Sequence, residues 1–167
     1  RDLAIRFNNA FGEVFTIPEP SIRENVAVVP GVDGQKMSKS YDNTIEIFNE
    51  GKPLKKRVMK ILTDSKELEE AKDPDTCNVF ALYKLFATEA EQADLAGRYR
   101  AGGMGYGTAK TELLDKINEH FGPMRERRAE LAADMDYVED VLCEGAKKAS
   151  AIARGTLQKA RQAVGLE

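Results

Sequence analysis

From Pro53 onward the apolar residues recur every third or fourth position, and this period persists to the C-terminus. Leu54, Val58 and Ile61 make one stripe. Val79, Leu82, Leu85 and Phe86 make a second, predicting a short helix that ends near Thr88. Ala109, Leu113, Ile117, His120 or Phe121, Met124 and Leu131 share one face of a long third helix, and Pro123 is expected to kink or restart it. Val138, Val141, Leu142, Ala149, Ile152, Leu157 and Ala160 make the inward face of a last helix over about 136–164, with Gly165 as its cap. Helical stripes need one another to leave water, so residues 46–167 predict an all-α bundle. Pro53 suits the first helical position, Asp73-Pro74-Asp75 a helix entry, and 89–100 a further helix. The glycine-rich run at 101–107 lacks the Lys-Ser/Thr of a P-loop and predicts a tight connection between helices.

The first 45 residues follow another pattern. Leu3, Phe7 and Phe11 at i, i+4, i+8 predict an amphipathic helix stopped by Gly12. Glu13–Ile17 is β-branched and aromatic, and Pro18 and Pro20 break it. Val26–Val29 is a fully apolar run of the kind found in buried strands of parallel sheets. Beyond it, Thr44–Phe48 alternates Ile45 and Ile47 with polar residues. The expected fold is mainly α: a helical bundle preceded by the last strands, and a loop, of an α/β sheet whose remainder is absent. Residue 1 is Arg, which suits a fragment whose upstream part is missing.

Composition excludes several function classes. With 32% charged residues and no long apolar run, a transmembrane helix is not expected. The net charge of −3 confines any nucleic-acid binding to local patches. Two such patches are legible: Lys52, Lys55, Lys56, Arg57 and Lys60, and the acid-free stretch 145–166 with Lys147, Lys148, Arg154, Lys159 and Arg161. Cys77 and Cys143 have no CxxC spacing and only His120 as an imidazole neighbour, which predicts reduced thiols in a cytosolic protein and no metal site.

The chemistry lies at 31–40, Gly-Val-Asp-Gly-Gln-Lys-Met-Ser-Lys-Ser. Gly31 and Gly34 permit a turn, Lys36 and Lys39 supply charge, and Ser38 and Ser40 supply hydrogen bonds. None of the residues at 36–40 is an acid, a base near neutrality or a metal ligand; the set suits a polyanion such as phosphate.

Lys36-Met37-Ser38-Lys39-Ser40, preceded by Gly-x-Asp-Gly, matches the KMSKS signature of class I aminoacyl-tRNA synthetases. The segments 73–83, 99–107, 123–127 and 144–149 resemble the bacterial tryptophanyl-tRNA synthetase family, so the resemblance spans nearly the whole chain. That family's other signature, His-Ile-Gly-His, is not in the sequence. The resemblance implies that 1–45 end a catalytic Rossmann domain and that 46–167 form a helical anticodon-binding domain. It implies an ATP-dependent tryptophan–tRNA ligase, cytoplasmic and homodimeric at full length, using ATP with Mg²⁺, tryptophan and tRNA(Trp). Lys36 and Lys39 would then neutralise the β- and γ-phosphates, with Met37, Ser38 and Ser40 completing the ATP contact. Arg98, Arg100, Arg125, Lys147 and Lys148 are the candidates for tRNA, by charge and position. The fragment alone is expected to be inactive. Two other readings are a tyrosyl-type synthetase and a non-catalytic helical tRNA-binding module with a relic loop.

Overall fold

The computed structural model describes residues 1–23 and 28–166 of the 167-residue chain. The described residues form six α-helices: α1 Asp2–Phe11, α2 Gly51–Met59, α3 Asn78–Tyr83, α4 Glu89–Ala101, α5 Tyr106–Ala133 and α6 Met135–Ala163. One 3₁₀ turn covers Lys39–Tyr41. The chain divides into two compact units, one of residues 1–22 with 129–167 and one of residues 23–128.

The expected sheet strands do not form among the described residues, and the chain there is mainly helical. A strand needs a ladder partner, and here side chains take the backbone groups instead. Asn8 accepts from the N–H groups of Val14 (3.2 Å) and Phe15 (3.0 Å) and donates to the Phe15 carbonyl at 2.7 Å. The carbonyls of Thr44 and Ile47 accept from Arg57 Nε (2.7 Å) and Arg125 Nε (2.8 Å). Part of the 26–29 run, Val26 and Ala27, lies outside the described residues; Val28 and Val29 are not in a strand. The one extended pairing described is an isolated antiparallel bridge between Pro30 and Lys36.

In the unit of 23–128 the helical stripes meet as expected. Leu54 and Val58 of α2, Val79 of α3, Leu95 and Tyr99 of α4 and Leu113 of α5 are all removed from water. α2 starts two residues before Pro53, which therefore sits third in the helix, still within the first turn whose N–H groups have no helical acceptor. Asp73 does not open a helix: its carboxylate accepts from Asp75 N–H (3.0 Å) and Thr76 Oγ1 (3.1 Å), closing a turn, and α3 begins only at Asn78. Thr88 begins α4, through a reciprocal capping box with Glu91. α5 runs unbroken through Pro123, because Phe121 packs on Phe86 and Arg125 bonds the Ile47 carbonyl on either side of the missing N–H.

In the other unit, α1 is capped at Gly12 and holds Phe7 against Phe11 and Phe15. α6 buries no residue: Val141, Leu142, Ile152 and Leu157 are more than half exposed, where an inward face was expected. Spacing decides which residues share a face, while burial requires an element to cover them.

Candidate functional site

Residues 29–43 fold into a knot of short-range hydrogen bonds. Gly31 N–H donates to the Gln35 carbonyl at 2.7 Å, and Met37 N–H to the Val29 carbonyl at 2.8 Å, so the chain doubles back across the Pro30–Lys36 bridge. Gly34 turns it with φ of 80°, and a Cβ there would lie 2.6 Å from Asn78 Nδ2. Ser38 Oγ accepts from Ser40 N–H at 3.2 Å and starts the 3₁₀ turn, which Asp42 closes at φ of 46°.

This path sorts the signature residues by exposure. Met37 turns inward onto the core cluster and lines an apolar cleft of about 320 Å³ with Ile45, Leu85 and Phe121. Lys36, Lys39 and Ser40 are exposed and Ser38 is half-buried. Two ammonium groups thus stand in water on a backbone tied down beneath them, an arrangement that can receive a polyanion with little reorganisation.

The tie is a residue that sequence reasoning missed. Asn43 is 1% exposed. Its Oδ1 accepts from Ser38 N–H at 2.7 Å, while Nδ2 donates to the Lys36 carbonyl at 3.1 Å and to Asp33 Oδ1 at 2.8 Å. Its backbone carbonyl accepts from Val32 N–H at 2.9 Å. Gly31 makes room for it, since a Cβ at 31 would sit 2.4 Å from Asn43 Cγ. The only signal in the sequence is the glycine itself, whose requirement for close approach names no partner.

The knot is fastened to the helices. Val32 carbonyl accepts from Leu62 N–H at 2.7 Å, and Asn78 Nδ2 donates to the Leu62 carbonyl at 3.1 Å. Arg57, from the basic cluster on α2, bonds the carbonyls of Thr44 and Asp42 and pairs with the Asp42 carboxylate at 3.2 Å. Nearby, Tyr106 donates to Asp64 at 2.7 Å; that bond holds the Asp64 carboxyl below its ordinary value, and burial pushes the Tyr106 phenol up.

The remaining candidates are dispersed. Arg98 is half-exposed and bonded to Glu112 and Asp94; Arg125 is buried, with Nη1 2.9 Å from Asn118 Oδ1. Arg100 is exposed, 3.8 Å from Asp75. Lys147 and Lys148 are exposed on α6, Lys147 pairing with Glu144 at 2.6 Å. His120 lies on the surface of α5 with its ring against Phe86.

Residues 1–122 match the family model described as tRNA synthetases class I (W and Y). The chain is 53% identical to the tryptophan–tRNA ligase of Fusobacterium nucleatum over 167 residues, covering 99% of this chain and 51% of the relative. It is 48% identical to that of Rhodopirellula baltica, covering 99% and 52%. In structure it resembles Campylobacter jejuni tryptophanyl-tRNA synthetase, solved as a complex with ADP and tryptophan, with TM-score 0.81 and 46% identity over 99% of this chain and 52% of that one. The chain spans about half the length of the curated relatives it matches, and those relatives do not favour the tyrosyl alternative. Its loop chemistry, its helical fold and these likenesses agree: the chain belongs to the class I tRNA synthetases of the tryptophan and tyrosine family.

Proposed function

We propose that the chain is the C-terminal half of a cytoplasmic, homodimeric tryptophan–tRNA ligase, which activates tryptophan with ATP and transfers it to tRNA(Trp). In this reading residues 1–45 end the catalytic domain and 46–167 form the anticodon-binding part. The observation that carries it is the loop: Lys36 and Lys39 both exposed on a backbone braced by Asn43, in a chain about half identical to such ligases.

Activation is attack of the tryptophan carboxylate on the α-phosphate of ATP, with pyrophosphate leaving. Negative charge grows on the departing oxygens, so catalysis rests on positioned cations and needs no side-chain base. Lys36 and Lys39 meet the β- and γ-phosphates, Ser38 and Ser40 hydrogen-bond them, and Met37 anchors the loop from below. Two ammonium groups and two hydroxyls fit phosphate and do not fit a resident metal. Mg²⁺ would accordingly arrive with ATP. Transfer to tRNA engages cations that bind the RNA backbone, with Arg100, Lys147 and Lys148 exposed for that role and Arg98 and Arg125 already bonded within the protein.

The test is ATP–pyrophosphate exchange by the full-length protein. Exchange that requires tryptophan and is unmoved by tyrosine is the expected result. Absence of exchange with a folded full-length protein would point instead to a binding module.

A further inference from the structure

We propose that Asn43 is the positioning residue for the two lysines of the signature loop, acting through the Ser38 amide and the Lys36 carbonyl; this rests on the phosphate-binding reading of that loop. Lys36 and Lys39 lie on either side of the Met37-Ser38 peptide. Any error in that peptide's orientation swings both ammonium groups. Asn43 grips from beneath the two successive peptides that flank Met37, Met37-Ser38 through the Ser38 N–H at 2.7 Å and Lys36-Met37 through the Lys36 carbonyl at 3.1 Å, using one acceptor and one donor of a single amide. The amide cannot flip without opposing both bonds, because Asp33 Oδ1, 2.8 Å from Nδ2 and also accepting from Gln35 N–H at 3.0 Å, demands a donor on that side.

The arrangement is fully buried at Asn43, whereas the lysines it governs are exposed. Burial removes competing water, which makes the amide's bonds directional constraints as well as contacts. Asn43 touches no substrate in this scheme. Its effect on rate comes from holding the cations where the transition-state charge develops.

The test uses the full-length ligase carrying Asn43→Asp. This near-isosteric change retains an oxygen for Ser38 but sets a carboxylate oxygen against Asp33 and the Lys36 carbonyl. At a temperature where circular dichroism shows the variant folded, kcat for pyrophosphate exchange should fall about tenfold or more, with tryptophan affinity within about twofold of the parent. Adding Asp33→Asn returns a donor to the pair and should recover about threefold or more of the lost rate. A fall of less than about threefold, or a fall matched by equal loss of tryptophan affinity and unrelieved by the second substitution, assigns Asn43 to general stability and overturns the proposal. Should the variant not fold, amide hydrogen exchange on the parent decides: the Ser38 N–H must be protected, and exchange at the rate of an unstructured peptide overturns the proposal. If the parent shows no tryptophan-dependent exchange, the functional reading falls by itself, and the protection at Ser38 still reports on the loop.

Discussion

Arg98 places Nη1 and Nη2 each 2.7 Å from the two carboxylate oxygens of Glu112, a forked pair that ties α4 to α5 across the glycine-rich turn. Asp94, one helical turn back, takes Nε at 2.9 Å. The guanidinium is thereby held more firmly protonated than usual, chiefly by the Glu112 hydrogen bond. The pair is partly exposed, so its measured worth should be small: a double-mutant cycle with Arg98→Ala and Glu112→Ala should give a coupling of about 1 kcal/mol. If Arg98 works mainly inside the protein, Arg98→Ala should leave the salt dependence of tRNA binding unchanged, whereas Lys147→Ala or Lys148→Ala should shallow the log–log slope by about 0.7 if each neutralises one single-strand phosphate.

Lys39 stands in water on the 3₁₀ turn, with no structural task in the core. On the proposed function, Lys39→Ala in the full-length protein should lower the rate of tryptophan activation while leaving tryptophan affinity unchanged, as measured by exchange kinetics and equilibrium titration. The 167-residue chain alone should show no exchange, because it spans about half of its relatives.

Gly97 and Gly102 should respond oppositely to alanine. Gly97 is inside α4 with open space where a Cβ would go, so Gly97→Ala should stabilise by about 0.5–1 kcal/mol. Gly102 has φ of 77°, and its Cβ would come within 2.4 Å of the Glu69 carbonyl oxygen, so Gly102→Ala should destabilise by about 2 kcal/mol or more. Denaturant melts of the two variants check both signs.

Leu113 is wholly buried where α5 meets the core, and Leu113→Ala should cost about 3 kcal/mol through lost burial and the cavity left behind. The same substitution at Ile152, 79% exposed on α6, should cost little, which chemical denaturation of the two variants will compare.

Glu91 is held down to about 2 from its ordinary 4.5, first by the Lys116 hydrogen bond and then by the Thr88 amide and hydroxyl. A depressed carboxylate stabilises the fold fully above its unfolded value and loses that contribution as pH falls through the folded one. The gap in melting temperature between the parent and Glu91→Gln should therefore be constant above about pH 5 and close as pH drops from 4.5 towards 2.

The sequence by itself determined the helices of the core and the family signature carried by the loop at 36–40. Helical stripes such as Leu54, Val58 and Ile61 are written in local spacing, and five consecutive signature residues need no fold to be recognised. The tertiary structure alone decided what those elements meet. The 13–17 segment has strand composition, yet the Asn8 side chain takes the Val14 and Phe15 N–H groups and the Phe15 carbonyl. The stripe on α6 has helical period but buries no residue. In the sequence Asn43 is one polar residue among several after the signature, and only its burial against Gly31, Asp33 and Ser38 makes it the brace of the loop backbone. Periodicity is a property of neighbours along the chain; burial and hydrogen-bond partners are set by residues brought together through folding, and spacing alone cannot name them.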